Sequence, residues 1–283
     1  MFIPTLENQM DDEQRAYWLP KAKAFEITGA YAQTELGHGS NVQGIETTAH
    51  YDPKTQEFIL NSPTLTSRKW WPGGLGKTAN HCVLHARLFL DGKDRGVQAF
   101  LVPLRDTATH RTLPGITLGD IGPKIGFQSV DNGFCVLDHV RIPRRNMLMR
   151  FAKVAPDGSF SKPPMDKLVY FTMVKIRVLV AVVCARSMAS AVTIATRFSA
   201  ARVQGSAGRG QPENQVLNYE NQQLTLFPLI GLAYASYFAY RGLDAMYKQV
   251  AEQVDQGDMG LGTSGENTIH ATFSTNYTRR HRD

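Results

Sequence analysis

Two stretches carry residue types that could act on a small molecule. Tyr31-Ala32-Gln33-Thr34-Glu35-Leu36-Gly37-His38-Gly39-Ser40-Asn41 runs into a Gly-His-Gly-Ser-Asn turn. Read as a strand and its exit, it puts the Thr34 hydroxyl and the backbone N–H groups around Gly39 and Ser40 on one rim. Such a rim can hydrogen-bond the polar edge of a heterocycle or a thioester carbonyl. The same residues also read as no more than a strand followed by a glycine turn. The second stretch, Trp70-Trp71-Pro72-Gly73-Gly74-Leu75-Gly76-Lys77-Thr78, ends like a phosphate-binding loop. The Walker pattern needs glycine five residues before the glycine of Gly-Lys-Thr, and that position is Trp71. The segment leads into a strand over 79–90, so no helix N-terminus would face a phosphate. Gly73 and Gly74 instead allow close backbone approach to a flat ligand, or simply a tight turn.

Other chemistries find little support. His81 and His85 are four apart; on a helix that spacing could bind metal, but on a strand the two merely share a face. No acidic partner lies near them, and no metal site is expected. Cys82, Cys135 and Cys184 are odd in number, far apart and outside any Cys-x-x-Cys. Neither a disulfide framework nor a zinc knuckle is supported, and a reducing compartment is expected. No Gly-x-Ser-x-Gly elbow stands out. Thirty-one basic against 25 acidic residues leave +6, which suits anionic ligands and is too small to argue for nucleic acid.

The elements that would position these residues divide the 283-residue chain into four parts. Residues 1–28 are partly helical, with Asp11-Asp12-Glu13-Gln14 opening a short helix. Residues 29–155 read as strands. Ile45, Thr47, Ala49 and Tyr51 alternate with polar residues, Asp52-Pro53-Lys54-Thr55 turns, and Phe58-Ile59-Leu60 returns as a hairpin. Cys82, Leu84, Ala86, Leu88 and Leu90 share one face of a second strand, and Asp91-Gly92 turns it into Gly96–Pro103. Phe134–Arg141 is the expected last strand, stopped by Pro143. Residues 156–256 hold two helices, at 165–204 and 220–250, joined by a glycine-rich segment (205–212) whose composition reads as a flexible loop. Residues 257–283 form an irregular tail.

Neither apolar helix reads as a membrane span. Lys175, Arg177, Arg186 and Arg197 interrupt the first, whose longest charge-free run is Ser187–Thr196. Lys175, Arg186 and Arg197 fall eleven apart, nearly three turns, and make a polar stripe that is solvated or faces another subunit. Asn221–Tyr240 lacks charge but contains Pro228 and several polar residues, so a buried core helix is expected there. Met1–Glu7 has no basic or apolar signal region, and no secretory signal is expected.

Several ordered motifs resemble one family: Asp12-Glu13-Gln14-Arg15, Tyr31–Gly37, Tyr51–Thr78, Leu113–Gly122, Asp131-Asn132-Gly133, Arg141-Ile142-Pro143-Arg144 and Leu226-Phe227-Pro228-Leu229. These are similar to the acyl-CoA oxidases, peroxisomal flavoenzymes of the acyl-CoA dehydrogenase superfamily, over residues 1 to about 260. The resemblance implies an α+β fold: the tail end of an N-terminal helical domain (1–28), a middle antiparallel β-barrel or sandwich domain bearing the flavin and acyl-CoA face (29–155), and the start of a C-terminal helical bundle (156–256). It implies FAD as cofactor, a fatty acyl-CoA and O2 as substrates, trans-2-enoyl-CoA and hydrogen peroxide as products, and a homodimer or pairing with a full-length subunit. Without the rest of a bundle, the helices are expected to force oligomerisation or poor solubility.

By position, Thr34 matches the threonine that bonds the flavin, and Gly73 a glycine whose backbone contacts it. Trp70 and Trp71 would wall the ring beside Gly74, while Gly39 and Ser40 would lie near the thioester. Arg202 matches the first arginine of an Arg-Arg-Gln that meets the FAD pyrophosphate of the partner subunit; Val203 replaces the second. The family's catalytic glutamate opens a Glu-Gly-Glu-Asn-Thr motif. Ser264-Gly265-Glu266-Asn267-Thr268 resembles it with Ser264 in the glutamate's place, and serine cannot serve as a carboxylate base. The expectation is an oxidase impaired by absence of the catalytic glutamate region. The alternatives are a non-catalytic FAD- and acyl-CoA-binding partner subunit, or an acyl-CoA dehydrogenase. The tail ends His281-Arg282-Asp283, not in a Ser-Lys-Leu-type address, so peroxisomal location is implied by the family alone.

Overall fold

A computed structural model describes residues 1–162, 171–206 and 208–256. The chain divides into two units, Met1–Thr172 and Met173–Asp283, each described by itself.

The first unit opens with helices α1 (Phe2–Gln9) and α2 (Asp12–Lys23). Asp11 caps α2 by accepting from the Gln14 amide at 2.9 Å, while the Gln14 side chain accepts from the Asp11 amide at 3.1 Å. This reciprocal box satisfies two donors that a helix start leaves orphaned. The expected short helix is therefore present, and α1, which carries no acidic start signal, precedes it.

The strands are β1 (Gly29–Ala32), β2 (Thr48–Asp52), β3 (Glu57–Asn61), β4 (Lys69–Trp70), β5 (His81–Leu90), β6 (Lys93–Pro103), β7 (Ile116–Asp120), β8 (Gly133–Leu137), β9 (Val140–Pro143), β10 (Lys153–Val154) and β11 (Phe160–Ser161). The long β5 organises the main sheet. Along its whole length β6 pairs antiparallel, from His81↔Pro103 to Leu90↔Lys93. Two strands share its other edge, both parallel: β1 beside His81–Leu84 and β2 beside Arg87–Phe89. The hairpin β2–β3 and then β9 complete the sheet. A smaller antiparallel sheet runs β4–β8–β7.

Alternate residues of the main sheet face the smaller one. Ala30, Ala32, Leu84, Ala86, Phe58, Leu60 and Phe100 bury with Cys135, Leu137 and Ile116 in one core. The opposite face of β5–β6, through Val83, Ala99 and Leu101, packs on Phe2, Leu6, Met10 and Ala22 of the N-terminal helices. This is the α+β arrangement of a curled sheet with helices outside it.

One strand differs from the sequence-based expectation. Phe134–Arg141 is not continuous: β8 ends at Leu137 and β9 begins at Val140, and the two lie in different sheets. The break is His139, held at φ 51°, a left-handed conformation that ends a strand. Pro143 does not stop the strand; it is the last residue of β9, opposite Glu57.

In the second unit, α3 (Phe171–Ala201) and α4 (Glu220–Asp255) are the two expected helices. Between them β12 (Val203–Ser206) pairs antiparallel with β13 (Glu213–Gln215), so the expected loop is a small hairpin. Val174, Val178, Val182, Ala185 and Val192 form one buried stripe on α3, and Ser199 at its end accepts from Gln222 of α4 at 2.8 Å. The expectation of a buried core helix over 221–240 does not hold within this unit. Leu226 and Ala233 are buried, but Leu224, Phe227, Tyr234 and Phe238 are each more than half exposed. The apolar faces of α4 that carry these four side chains are exposed among the described residues. By length and composition Val174–Ala201 could cross a membrane, with a mean hydropathy of 2.0 and 22% of that window buried. Its buried valines Val174, Val178, Val182 and Val192 lie on one stripe, as on a packed helix.

Candidate functional site

The candidate residues of the first unit gather at the exit of β1. There residues 34–37 lie against residues 66–70. Trp70 N–H donates to Thr34 O at 3.0 Å, Leu36 N–H to Arg68 O at 2.8 Å and Gly37 N–H to Thr66 O at 3.0 Å. Thr34 is half-buried, and no described residue bonds its hydroxyl. Thr34 and the Trp70–Gly74 segment therefore stand side by side.

Beneath them is a pair that sequence reasoning missed. Glu35 and Lys69 face each other with both side chains fully buried, Nζ to Oε1 at 2.9 Å. Glu35 also accepts from the Glu46 amide at 2.8 Å, the Thr47 amide at 3.0 Å and the Thr47 hydroxyl at 2.5 Å. Lys69 donates to His85 O at 2.6 Å and Gln33 O at 3.4 Å. Burial pushes the Lys69 ammonium down, and Glu35 opposes that shift. A buried pair with its lone pairs and protons used fixes register more than it adds stability. Here it locks the residues next to Thr34 and Trp70. The sequence gives no signal for it, because the same-face neighbours are Gln33 and Gly37 for Glu35 and Ser67 and Trp71 for Lys69.

The glycine segment is held from three directions. Trp71, at φ 88° and half exposed, donates its N–H to Gly133 O at 3.0 Å, and Gly133 N–H returns to Pro72 O at 3.1 Å. Asn132 Nδ2 donates to Trp71 O at 2.6 Å. Gly74 lies at φ 81°, where glycine is unstrained. The buried Arg105 guanidinium donates to Ala79 O, to Gly76 O at 2.9 Å and to Leu75 O at 3.3 Å. Asp131 accepts from the Lys77 and Thr78 amides, both at 2.8 Å. A carboxylate of the chain thus takes the amides that a phosphate would need in a Walker loop, so the Gly-Lys-Thr likeness has no phosphate-binding counterpart. A Cβ on Gly133 would come within 2.3 Å of the Gly76 nitrogen, so the Asp131-Asn132-Gly133 motif fits one backbone against another.

Beside this segment Trp70, Trp71, Ile121, Pro123, Lys124 and Phe127 line a depression of about 610 Å³. Trp70 stacks on Phe134, centroids 5.9 Å apart and 17° from parallel. A flat aromatic wall, an unpartnered hydroxyl and a fixed run of peptides fit a planar heterocycle. Asn132, which bonds that segment at Trp71 O, keeps a buried, unpartnered Oδ1.

Gly39 and Ser40 lie in the exposed turn after Thr34. His38 ties that turn down through Glu46 at 3.0 Å. Hydrogen bonds from the Thr64, His38 and Thr66 side chains hold the Glu46 carboxyl down at about 2. His81 and His85 are both buried, and burial pushes them to about 4 and about 3. Among the described residues no cluster of His, Cys, Asp and Glu could hold a metal ion. Arg202 belongs to the second unit, exposed just past α3, where its carbonyl accepts from Val216 N–H at 2.9 Å. Ser264 lies outside the described residues.

This β-unit is of a known class: residues 30–140 match the middle domain of the acyl-CoA dehydrogenases. Residues 1–28 match the N-terminal region of acyl-coenzyme A oxidases and residues 170–276 their C-alpha1 domain. The chain belongs to the acyl-CoA oxidase family. It is 54% identical to the peroxisomal acyl-coenzyme A oxidase 1 of Bos taurus over 259 residues, 92% of this chain and 39% of that protein. Among solved structures, acyl-CoA oxidase 1 of Arabidopsis thaliana superposes with a TM-score of 0.86 at 48% identity, over 92% of this chain and 40% of that one. Acyl-CoA oxidase-2 of Caenorhabditis elegans, bound with FAD, ascaroside-CoA and ATP, gives 0.89 at 48%, over 95% and 40%. The chain spans about two fifths of the length of the curated relatives it matches.

Proposed function

We propose that these residues form the flavin- and acyl-CoA-binding part of an acyl-CoA oxidase, acting in the first oxidation of fatty acyl-CoA thioesters in the peroxisome. The observation that carries the reading is the backbone pairing of Thr34 with Trp70 at 3.0 Å, which sets a free hydroxyl beside the glycine segment. Thr34 donates to the polar edge of the ring, and the peptides around Gly73 and Gly74 approach it. Trp70 and Trp71 exclude water from one side, as hydride chemistry requires. Gly39 and Ser40, on the turn anchored by His38, meet the thioester. Arg202 meets the pyrophosphate across a homodimer, or across a pairing with a full-length subunit. Bound FAD would take the β-hydride and pass the electrons to O2, yielding trans-2-enoyl-CoA and hydrogen peroxide. The nematode relative crystallised with FAD and ascaroside-CoA supports both ligands, and the peroxisomal names of the mammalian relatives support the location.

Removal of the α-proton needs a base, and the motif position here is Ser264. General-base help is typically worth about 10²–10⁴ in rate. These 283 residues are therefore proposed to bind the ligands and to turn them over poorly, which also favours a non-catalytic partner subunit as the second reading. The test combines purified chain, FAD and a fatty acyl-CoA. Flavin should bind, with slow bleaching under nitrogen and little peroxide in air. Peroxide output equal to that of a full-length oxidase would overturn the impairment. Failure to hold flavin at all would overturn the whole reading, and dye reduction without oxygen uptake would assign a dehydrogenase instead.

A further inference from the structure

Two glutamates close the turn that carries Gly39 and Ser40, each gripping the other's segment. The Glu35 carboxylate, one residue past Thr34, accepts from the Glu46 amide at 2.8 Å. The Glu46 carboxylate reaches back across the turn and accepts from His38 Nε2 at 3.0 Å. The same carboxylate lies 2.8 and 3.1 Å from the Thr66 hydroxyl and accepts from the Thr64 hydroxyl. Both arms of the turn are fixed elsewhere. On the entry arm Gly37 N–H donates to Thr66 O at 3.0 Å. On the return arm Arg87 Nε donates to Ile45 O at 3.2 Å, and the guanidinium also reaches Gln43 O. The His38 ring stands between Glu46 and the Gly44 backbone, where a Cβ would come within 3.0 Å of Nδ1.

The tip itself is not held by packing. Gly39 and Ser40 are exposed, and a Cβ on Gly39 would meet nothing within 4 Å. A glycine turn without packing loses much backbone freedom when a ligand fixes it, and fixing it beforehand removes that cost from binding. Hydrogen bonds from Thr64, His38 and Thr66 hold the Glu46 carboxyl at about 2, so it is an ionised acceptor at neutral pH. It is also partly open to solvent, where an ion pair adds little to stability. Such a network fixes a position more than it supports the fold. We infer that Glu46, acting through His38, is a positioning residue for the acyl-CoA thioester, presetting the Gly39–Ser40 turn that receives its carbonyl. The inference rests on the reading of Gly39 and Ser40 as the thioester contacts.

Calorimetric titration of the FAD-loaded chain under nitrogen, with octanoyl-CoA and with the thioether S-octyl-CoA that lacks the carbonyl, tests it. The parent should prefer the thioester about fivefold, the worth of one neutral hydrogen bond. Glu46→Ala should lose that preference and His38→Ala should lose it too. The double variant should lose nothing further, because both changes cut the same tie. Glu46→Gln keeps an oxygen for His38 and should retain the preference to within about twofold. Affinities for S-octyl-CoA and for FAD should be the same in all variants. Glu46→Ala strands no buried charge, and the Thr64 and Thr66 hydroxyls it frees are exposed. If the parent prefers the thioester and both alanine variants keep that preference, the inference is overturned while the thioester reading stands. A parent that binds the two ligands equally refutes the thioester reading, and the inference falls with it. Equal loss of S-octyl-CoA, octanoyl-CoA and FAD binding by Glu46→Ala would show a general structural role and likewise overturn it.

Discussion

Replacing Lys69 by methionine removes one member of the buried pair that holds the candidate rim. The Glu35 carboxylate would remain at zero exposure with three donors from Glu46 and Thr47 but no cation. The carbonyls of Gln33 and His85 would lose the ammonium that reaches them. Breaking a buried pair from one side costs about 3–5 kcal/mol, against a total stability of about 5–15 kcal/mol for a domain. The β-unit of Lys69→Met should therefore lose roughly a third or more of its stability. Glu35→Gln keeps an acceptor for the amides and removes the stranded charge. The double variant should be less damaged than the two single losses summed, by about 1–3 kcal/mol. Urea unfolding followed by tryptophan fluorescence measures this directly, because Trp70 and Trp71 adjoin the lesion. If Lys69→Met unfolds within about 1 kcal/mol of the parent, the pair is not what fixes the 34–36 and 68–70 segments together, and the reasoning fails.

Acid should weaken the first unit before its carboxylates titrate. His81 and His85 are held at about 4 and about 3, against an ordinary value of 6.5. The unfolded chain takes up their protons first, so stability is complete above pH 6.5 and falls as pH drops toward 4. The slope is about 1.4 kcal/mol per histidine per pH unit. Urea midpoints at pH 7 and pH 5 should differ accordingly, and His85→Gln should roughly halve the difference; a flat profile contradicts the burial argument. Gly133→Ala should disorder the glycine segment and abolish FAD binding, because its Cβ has no room. Gly39→Ala, with nothing within 4 Å, should leave thermal stability unchanged, and equal melting of both alanine variants would refute the packing argument. Of the three thiols, only exposed Cys184 should react quickly with a disulfide reagent. Cys82 and Cys135 are buried, and burial pushes Cys135 to about 12. Three fast thiols would mean the core is open.

Local chemistry made much of this fold legible. The turn Asp52–Thr55 announced the β2–β3 hairpin, and the alternation Cys82–Leu90 announced β5. Long-range pairing was not legible. Nothing adjacent in sequence says that Glu35 meets Lys69, or that Arg105 reaches back across 26 to 30 residues to the glycine segment. The break at His139 was missed because its left-handed backbone is imposed by strands entering two different sheets, not by residue type. The hairpin at 203–215 was hidden by its glycines, of which Gly205 and Gly210 take positive φ. The apolar run of α4 suggested burial, yet its side chains face outward from a two-helix unit. Thr34 and Gly73 were named by resemblance. Their closeness rests on one ladder of backbone bonds that composition does not reveal.

The Thr34 hydroxyl and the Trp70–Gly74 peptides are proposed to form a single ring-binding rim. Titration of FAD into the purified chain, read by quenching of flavin fluorescence, addresses it most directly when repeated with Thr34→Val. Saturable quenching by the parent chain is predicted, with affinity about fivefold lower in the variant, the worth of one neutral hydrogen bond. Unquenched flavin, or identical affinity for the two proteins, would contradict it.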